Sequence, residues 1–176
     1  MPTNDPTKRR AIYKTMRVYS GSSNRPLAQK IADILGVELS GLALEQFANG
    51  EIYARYEETV RGADVFLIQS IAGENVNDML MEVLVAADAA KRASARSITA
   101  VITHYGYARQ DRKAAPREPI TARLVADLLE CSGVNNIITL DLHQGQIVGF
   151  FDVPVNHLSA LPLFAEYYNA MKLDKE

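Results

Sequence analysis

Cysteine occurs once in the 176 residues, at Cys131. No disulfide can therefore close within the chain, and a reducing compartment is expected. Long apolar runs are missing too, and nothing reads as a secretory leader, so neither a membrane span nor export is expected and the default location is the cytoplasm. Neither sign of charge dominates: 19 Lys and Arg against 21 Asp and Glu leave a net charge of −2. That balance argues against a dedicated nucleic-acid binder, whose affinity comes mainly from neutralising phosphates. It leaves room for a local basic pocket. Short-period repeats and low-complexity tracts are absent. The segment GSSNRP, residues 21–26, has neither the GxGxxG nor the GxxxxGK[ST] spacing, which excludes a dinucleotide fingerprint and a P-loop there.

What is present suffices for one domain with a real core, since 48% of the residues are hydrophobic. Residues 1–15, MPTNDPTKRRAIYKT, differ in character: polar, basic and proline-containing, they read as a flexible extension. Arg17–Ser20 reads as a strand. Leu27, Ile31 and Leu35 recur at helical spacing up to Gly36. Residues 37–56 look extended, with a turn at Asn49-Gly50. Ala63–Gln69 and Ser97–Thr103 are buried strands. Between them Leu80, Val83, Leu84 and Ala87 mark a helix face. A helix over Ile120–Glu130, on the spacing of Ile120, Leu124 and Leu128, closes at Gly133. A strand over Asn136–Asp141 follows, and Ser159 with Pro162 opens a last helix. Apolar strands alternating with amphipathic helices predict an α/β fold: three layers, a mostly parallel sheet with helices on both faces. Such sheets bind ligands beyond the carboxyl ends of their strands.

Three motifs fall at predicted strand ends or turns. In LDLHQGQ, Asp141 and His143 stand two apart and so share a side of a strand. A carboxylate beside an imidazole holds a divalent cation, or is equally an Asp accepting a hydrogen bond from a structural histidine. GYARQDRK places Arg109, Gln110, Asp111, Arg112 and Lys113 after a buried strand. Arginine forks suit phosphate oxygens, while local Asp–Arg pairing in a solvated loop is the plainer alternative. The FANGE turn sets Phe47 beside Asn49, Gly50 and Glu51: a flat ring next to hydrogen-bonding groups, as a purine requires, or an ordinary hairpin with a buried Phe. Cys131 reads as a packed thiol and His157 as a surface or capping residue.

Together, MRVYSGSSN, FANGE, VRGADVFLIQS, YARQDRK, REPITARLVADLLE and DLHQGQIVGFFDVPVNHL strongly resemble the ribose-phosphate pyrophosphokinase (phosphoribosyl pyrophosphate synthetase) family, from Met16 to the end of the chain. The resemblance implies a phosphoribosyltransferase-like amino-terminal ATP-binding domain over residues 16–176. It implies transfer of the diphosphoryl group of ATP to the 1-hydroxyl of ribose 5-phosphate, with Mg²⁺, in a homo-oligomer (dimer or hexamer). By resemblance, Phe47, Asn49, Gly50 and Glu51 serve the adenine end of ATP, reaching toward a neighbouring subunit. Arg109 and Gln110 serve ATP with Asp111 close by, and His143, Asp141 and Asp152 form the cation signature. Two positions depart from the family pattern: Val148 stands where glutamine is usual and Asn156 where aspartate is usual, so no metal role is expected at 156. Family members carry a second, similarly built domain with a further metal aspartate, a mobile catalytic Lys/Arg segment and the ribose 5-phosphate loop. None of these motifs occurs before Glu176, and Asp174 does not match that aspartate. The second domain is therefore expected to be absent and no catalytic residue is assigned within this chain, which alone is expected to bind ATP weakly without turnover. The alternative is a non-catalytic subunit associated with a synthetase. No nucleic-acid or membrane partner is expected.

Overall fold

The computed structural model describes residues 15–171. The extension expected over residues 1–15 lies, Thr15 apart, outside the described residues, as does Asp174.

Five strands form one wholly parallel sheet in the order β1-β4-β5-β6-β7: β1 (Met16–Ser20), β4 (Asp64–Ser70), β5 (Ser97–His104), β6 (Asn136–Leu140) and β7 (Val155–Leu158). β2 (Leu42–Gln46) and β3 (Ile52–Tyr56) make a separate antiparallel hairpin. Its tip is the Asn49-Gly50 turn, where Gly50 has φ 89°, a left-handed conformation that glycine adopts without strain.

Helices cover the sheet from both sides. Helix α1 (Arg25–Leu35) starts on an Asn24 cap whose Oδ1 accepts from the Leu27 N–H at 3.3 Å, and stops where Gly36 turns left-handed. Its Ala28 and Ala32 pack on Val18 and Ile68. On the opposite face lie α2 (Val76–Arg92) and α3 (Thr121–Ser132), side by side over Val65, Leu67, Ile98, Ala100, Ile102 and Ile137. These strands are buried on both faces, so they read as apolar runs rather than as alternation.

Two expectations change. α3 buries Ala122, Val125, Ala126 and Leu129, whereas Leu124 and Leu128 are 52% and 39% exposed. Leu124 and Leu128 form an outward stripe, and the inward face is the neighbouring one carrying Ala122, Val125, Ala126 and Leu129. Cys131 continues that outward stripe, so its thiol is exposed and not packed. Helix α4 (Leu161–Ala170) buries none of its side chains. Among the described residues no helix is long and apolar enough to cross a membrane.

Candidate functional site

β4, β5 and β6 end at one rim of the sheet, and their loops enclose a cleft of about 460 Å³. The loop after β4 contributes Ile71, Ala72 and Gly73; the last residue of β5, His104, and the segment after it contribute through Gln110; the loop after β6 contributes Asp141, Leu142 and His143. A smaller cleft of about 170 Å³ lies among Arg109, Asp111, Arg112, His143, Gln144 and Gln146. Arg109 and His143 line both. The site thus follows the rule that open α/β sheets take ligands beyond their carboxyl edge.

The basic segment is held at its base and free at its charges. Tyr105 is buried, and its hydroxyl donates to the Ala122 carbonyl at 2.9 Å. Burial pushes that phenol well above its ordinary pKa, with Asp127 and Glu130 adding to the effect, so the group remains a donor. Gly106 makes the turn possible: a Cβ there would lie 2.5 Å from Ile71 Cγ2 and 3.0 Å from the Ile71 carbonyl oxygen. Tyr107 takes φ 64° and its hydroxyl bonds Asn77 Oδ1, tying the loop to the start of α2. The Gln110 carbonyl accepts from the Ala122 N–H at 3.1 Å and its side-chain oxygen from Thr121 Oγ1, tying it to the start of α3. Farther along, Glu118 accepts from the N–H groups of Ala114 and Ala115, each at 2.8 Å.

Against these restraints, Arg109, Arg112, Lys113 and Arg117 make no ion pair among the described residues. The alternative in which Asp111 or Glu118 pairs with its own arginines is therefore not what forms. Asp111 is instead buried, and its Oδ2 accepts from Gln146 Nε2 at 3.1 Å.

Asp141 and His143 reach the cleft by a route the strand pattern did not foresee. β6 ends at Leu140, and Asp141 leaves it with φ 44°, so the two side chains do not share a strand face. They meet in the cleft because the chain turns. The Asp141 carboxylate accepts from Ser159 Oγ at 3.0 Å and from the Ala160 N–H at 3.2 Å, capping the entry to α4. His157 Nε2 accepts from the Leu142 N–H at 3.0 Å, which fixes the loop from the neighbouring strand. His157, expected as a surface or capping residue, is exposed and lies within β7.

Asp152 lies elsewhere. It lines neither cleft; its carboxylate is 3.6 Å from Arg123 and its N–H donates to Glu130 at 2.7 Å. Among the described residues no three His, Cys, Asp or Glu side chains gather as a metal centre. The FANGE turn is also apart from the rim. Phe47 is half exposed and 6.0 Å from the Tyr53 ring, and the Asn49 side chain accepts from the Glu51 N–H at 3.2 Å, an ordinary Asx turn. Gly50 sits at the tip, and none of Phe47, Asn49, Gly50 or Glu51 lines either cleft.

Cations without ion pairs, backbone turns in left-handed conformations and the side chains of Asp141 and His143 around one cleft define an α/β domain with a polar cleft at the carboxyl edge of its sheet. The comparisons with known proteins narrow this. The family described as the N-terminal domain of ribose phosphate pyrophosphokinase matches residues 16–133. A ribose-phosphate pyrophosphokinase of Fusobacterium nucleatum is 53% identical over 156 residues, which cover 89% of this chain and 49% of that protein. Ribose-phosphate pyrophosphokinase 2 of Enterococcus faecalis is 56% identical over 153 residues, covering 87% of this chain and 47% of that one. The crystal structure of phosphoribosylpyrophosphate synthetase from Mycobacterium smegmatis superposes with a TM-score of 0.87 at 45% identity, over 90% of this chain and 53% of that one. The chain belongs to the ribose phosphate pyrophosphokinase N-terminal domain family. It spans about half the length of the curated relatives it matches.

Proposed function

We propose that the rim cleft binds the polyphosphate of ATP and supplies the nucleotide side of a ribose-phosphate diphosphokinase. In that reaction the 1-hydroxyl oxygen of ribose 5-phosphate attacks the β-phosphorus of ATP and the bond to the α-phosphate oxygen breaks. The hydroxyl proton leaves, and AMP departs as phosphoribosyl pyrophosphate forms. Little covalent chemistry falls to the protein in such a transfer; positioning and charge stabilisation do most of it. The observation that carries the reading is the set of unpaired guanidinium groups at a carboxyl-edge cleft, which an anion rich in oxygens would satisfy.

Arg109 and Gln110 are the groups proposed to hold the phosphates, with Asp111 beside them. Asp141 and His143 are the groups proposed to hold Mg²⁺, an ion commonly bound by one or two carboxylates and completed by water and substrate phosphates; to do so the Asp141 carboxylate would share the oxygens that now accept from Ser159 and Ala160. Bound there, Mg²⁺ would neutralise phosphate charge. Asp152 is the third residue of the proposed cation signature; its distance from the cleft makes it the weakest member. Phe47, Asn49, Gly50 and Glu51 are proposed to meet the adenine of a nucleotide held by a second copy of the chain, which the exposure of Phe47 and its separation from the cleft support. A homo-oligomer working in the cytoplasm completes the proposal.

Titration calorimetry of the 176-residue chain with ATP and Mg²⁺ tests it. Saturable binding that weakens as salt rises is expected, because the contacts are between charges. Heat indistinguishable from dilution at millimolar ATP would remove the proposal.

A further inference from the structure

Asp111 sits between two exposed neighbours, Gln110 and Arg112, yet is only 8% exposed itself. A buried carboxylate is costly unless it is hydrogen-bonded. Here the partner is an uncharged amide: Gln146 Nε2 donates to Asp111 Oδ2 at 3.1 Å. Among the described residues no cation lies within ion-pair distance of Asp111, although Arg109 and Arg112 line the same small cleft. The choice of partner matters. An amide donor satisfies the carboxylate without occupying a guanidinium, so both arginines stay available.

The two ends of this hydrogen bond are anchored separately. Gln146 belongs to a 3₁₀ turn, Gly145–Phe150, whose next residue Ile147 is fully buried in the core. Asp111 follows Gln110, which is bound to the first residues of α3. The bond therefore joins the segment after β5 to the segment after β6, and no other side-chain hydrogen bond between residues 105–118 and 141–150 occurs among the described residues.

We infer that the Asp111–Gln146 hydrogen bond is a latch holding the basic loop against the loop that carries His143, and that these two residues raise nucleotide affinity by positioning Arg109 and Arg112 rather than by touching the ligand. The inference rests on the proposed nucleotide reading of the cleft. It goes further in assigning a role to Gln146 and in making Asp111 a positioning residue.

ATP affinity of four forms of the full 176-residue chain tests it, with melting curves recorded alongside. Gln146→Leu removes the donor and should weaken ATP roughly tenfold, the scale of one hydrogen bond to a charged group. Gln146 is exposed, so this variant should fold. Gln146→Glu places two carboxylates where one hydrogen bond stood. It should weaken ATP at neutral pH and recover toward wild type as pH falls to about 5, where the two share a proton. Arg109, Arg112 and His143 face the same space in both proteins, so the ratio of variant to wild type is the quantity read. The double variant Asp111→Asn with Gln146→Glu reverses donor and acceptor and should restore affinity to within about threefold, since the bond and the net charge both survive. A merely structural effect would show neither the pH-dependent recovery nor the rescue. Wild-type affinity in Gln146→Leu, or a double variant no better than Gln146→Glu alone, would overturn the latch. Should the wild type bind no ATP, the proposed function falls, and the latch is judged by amide hydrogen exchange. Residues 109–118 must then exchange faster in Gln146→Leu, and unchanged exchange overturns the inference.

Discussion

The sheet has two edges, and they treat charge in opposite ways. At the amino ends of β4 and β5, Asp64 accepts from Arg96 Nε at 2.7 Å and from Ser97 Oγ at 2.7 Å, while Arg96 also donates to Thr15 Oγ1 at 2.9 Å. Each of these four residues has a side-chain partner within the chain. At the carboxyl ends, Arg109, Arg112, Lys113 and Arg117 have none among the described residues, and Tyr107 and Asp141 hold left-handed backbone conformations that cost energy in non-glycine residues. The first edge closes the fold. The second leaves Arg109 and Arg112 lining one cleft without an ion-pair partner among the described residues.

The largest effect that would sharpen the contrast is on binding. Replacing both Arg109 and Arg112 by alanine should weaken ATP by about a hundredfold, or about 3 kcal/mol, while the melting temperature holds or rises because like charges have been removed. A parallel fall in melting temperature would break the comparison, since it would mean that these arginines serve the fold. Next in size is Gly106→Ala. Its new Cβ would press on the Ile71 side chain and on the Ile71 carbonyl, which belongs to the backbone and cannot rotate away. A loss of about 1–3 kcal/mol of stability is expected, as for other overpacked sites, with weaker ATP binding because the turn carries Arg109. An unchanged melting temperature in urea and heat would show that the rim has more slack than its packing indicates.

How much of this was legible in the sequence divides along the same line. The elements that fill the sheet were readable because burial on both faces writes apolar runs, and because Gly36 and Gly133 mark helix ends through their left-handed φ of 68° and 113°. β7 was not read: three of its four residues are exposed and it exists by pairing with β6, which no local pattern encodes. On α3 the spacing of Ile120, Leu124 and Leu128 has the helical period but the wrong phase, because the buried face is Ala122, Val125, Ala126 and Leu129. At the rim, residue types pointed to Arg109, Asp141 and His143, but the strand argument for the last two failed at Asp141, which takes a positive φ that Asp tolerates better than most residues but that the apolar run before it does not announce. The bonds that hold the rim were invisible for a simple reason. Asp111 and Gln146 are 35 positions apart, and Leu142 and His157 are 15 apart, so only the folded chain makes them neighbours.

The smallest expected effect belongs to the paired edge, and its pH dependence identifies it. The Arg96 guanidinium beside Asp64 holds its carboxyl below the usual aspartate range; the hydroxyls of Ser97 and Thr15 add to this, and partial burial opposes it. Because the folded-state pKa lies below the unfolded one, the carboxylate's contribution is complete above the ordinary aspartate value of about 3.9 and is lost as pH falls through the lowered one. Arg96 is 57% exposed at its side chain, so solvent screens the pair. Asp64→Asn should therefore lower the melting temperature at neutral pH by only about 2 °C or less, with ATP affinity unchanged. The gap between variant and wild type should close as pH drops below the aspartate range, where both carry an uncharged group at this position. A gap that persists in acid would assign the loss to altered packing at the start of β4. A change in ATP affinity would mean that the two edges are mechanically coupled through the sheet, and that the division of labour between them is not clean.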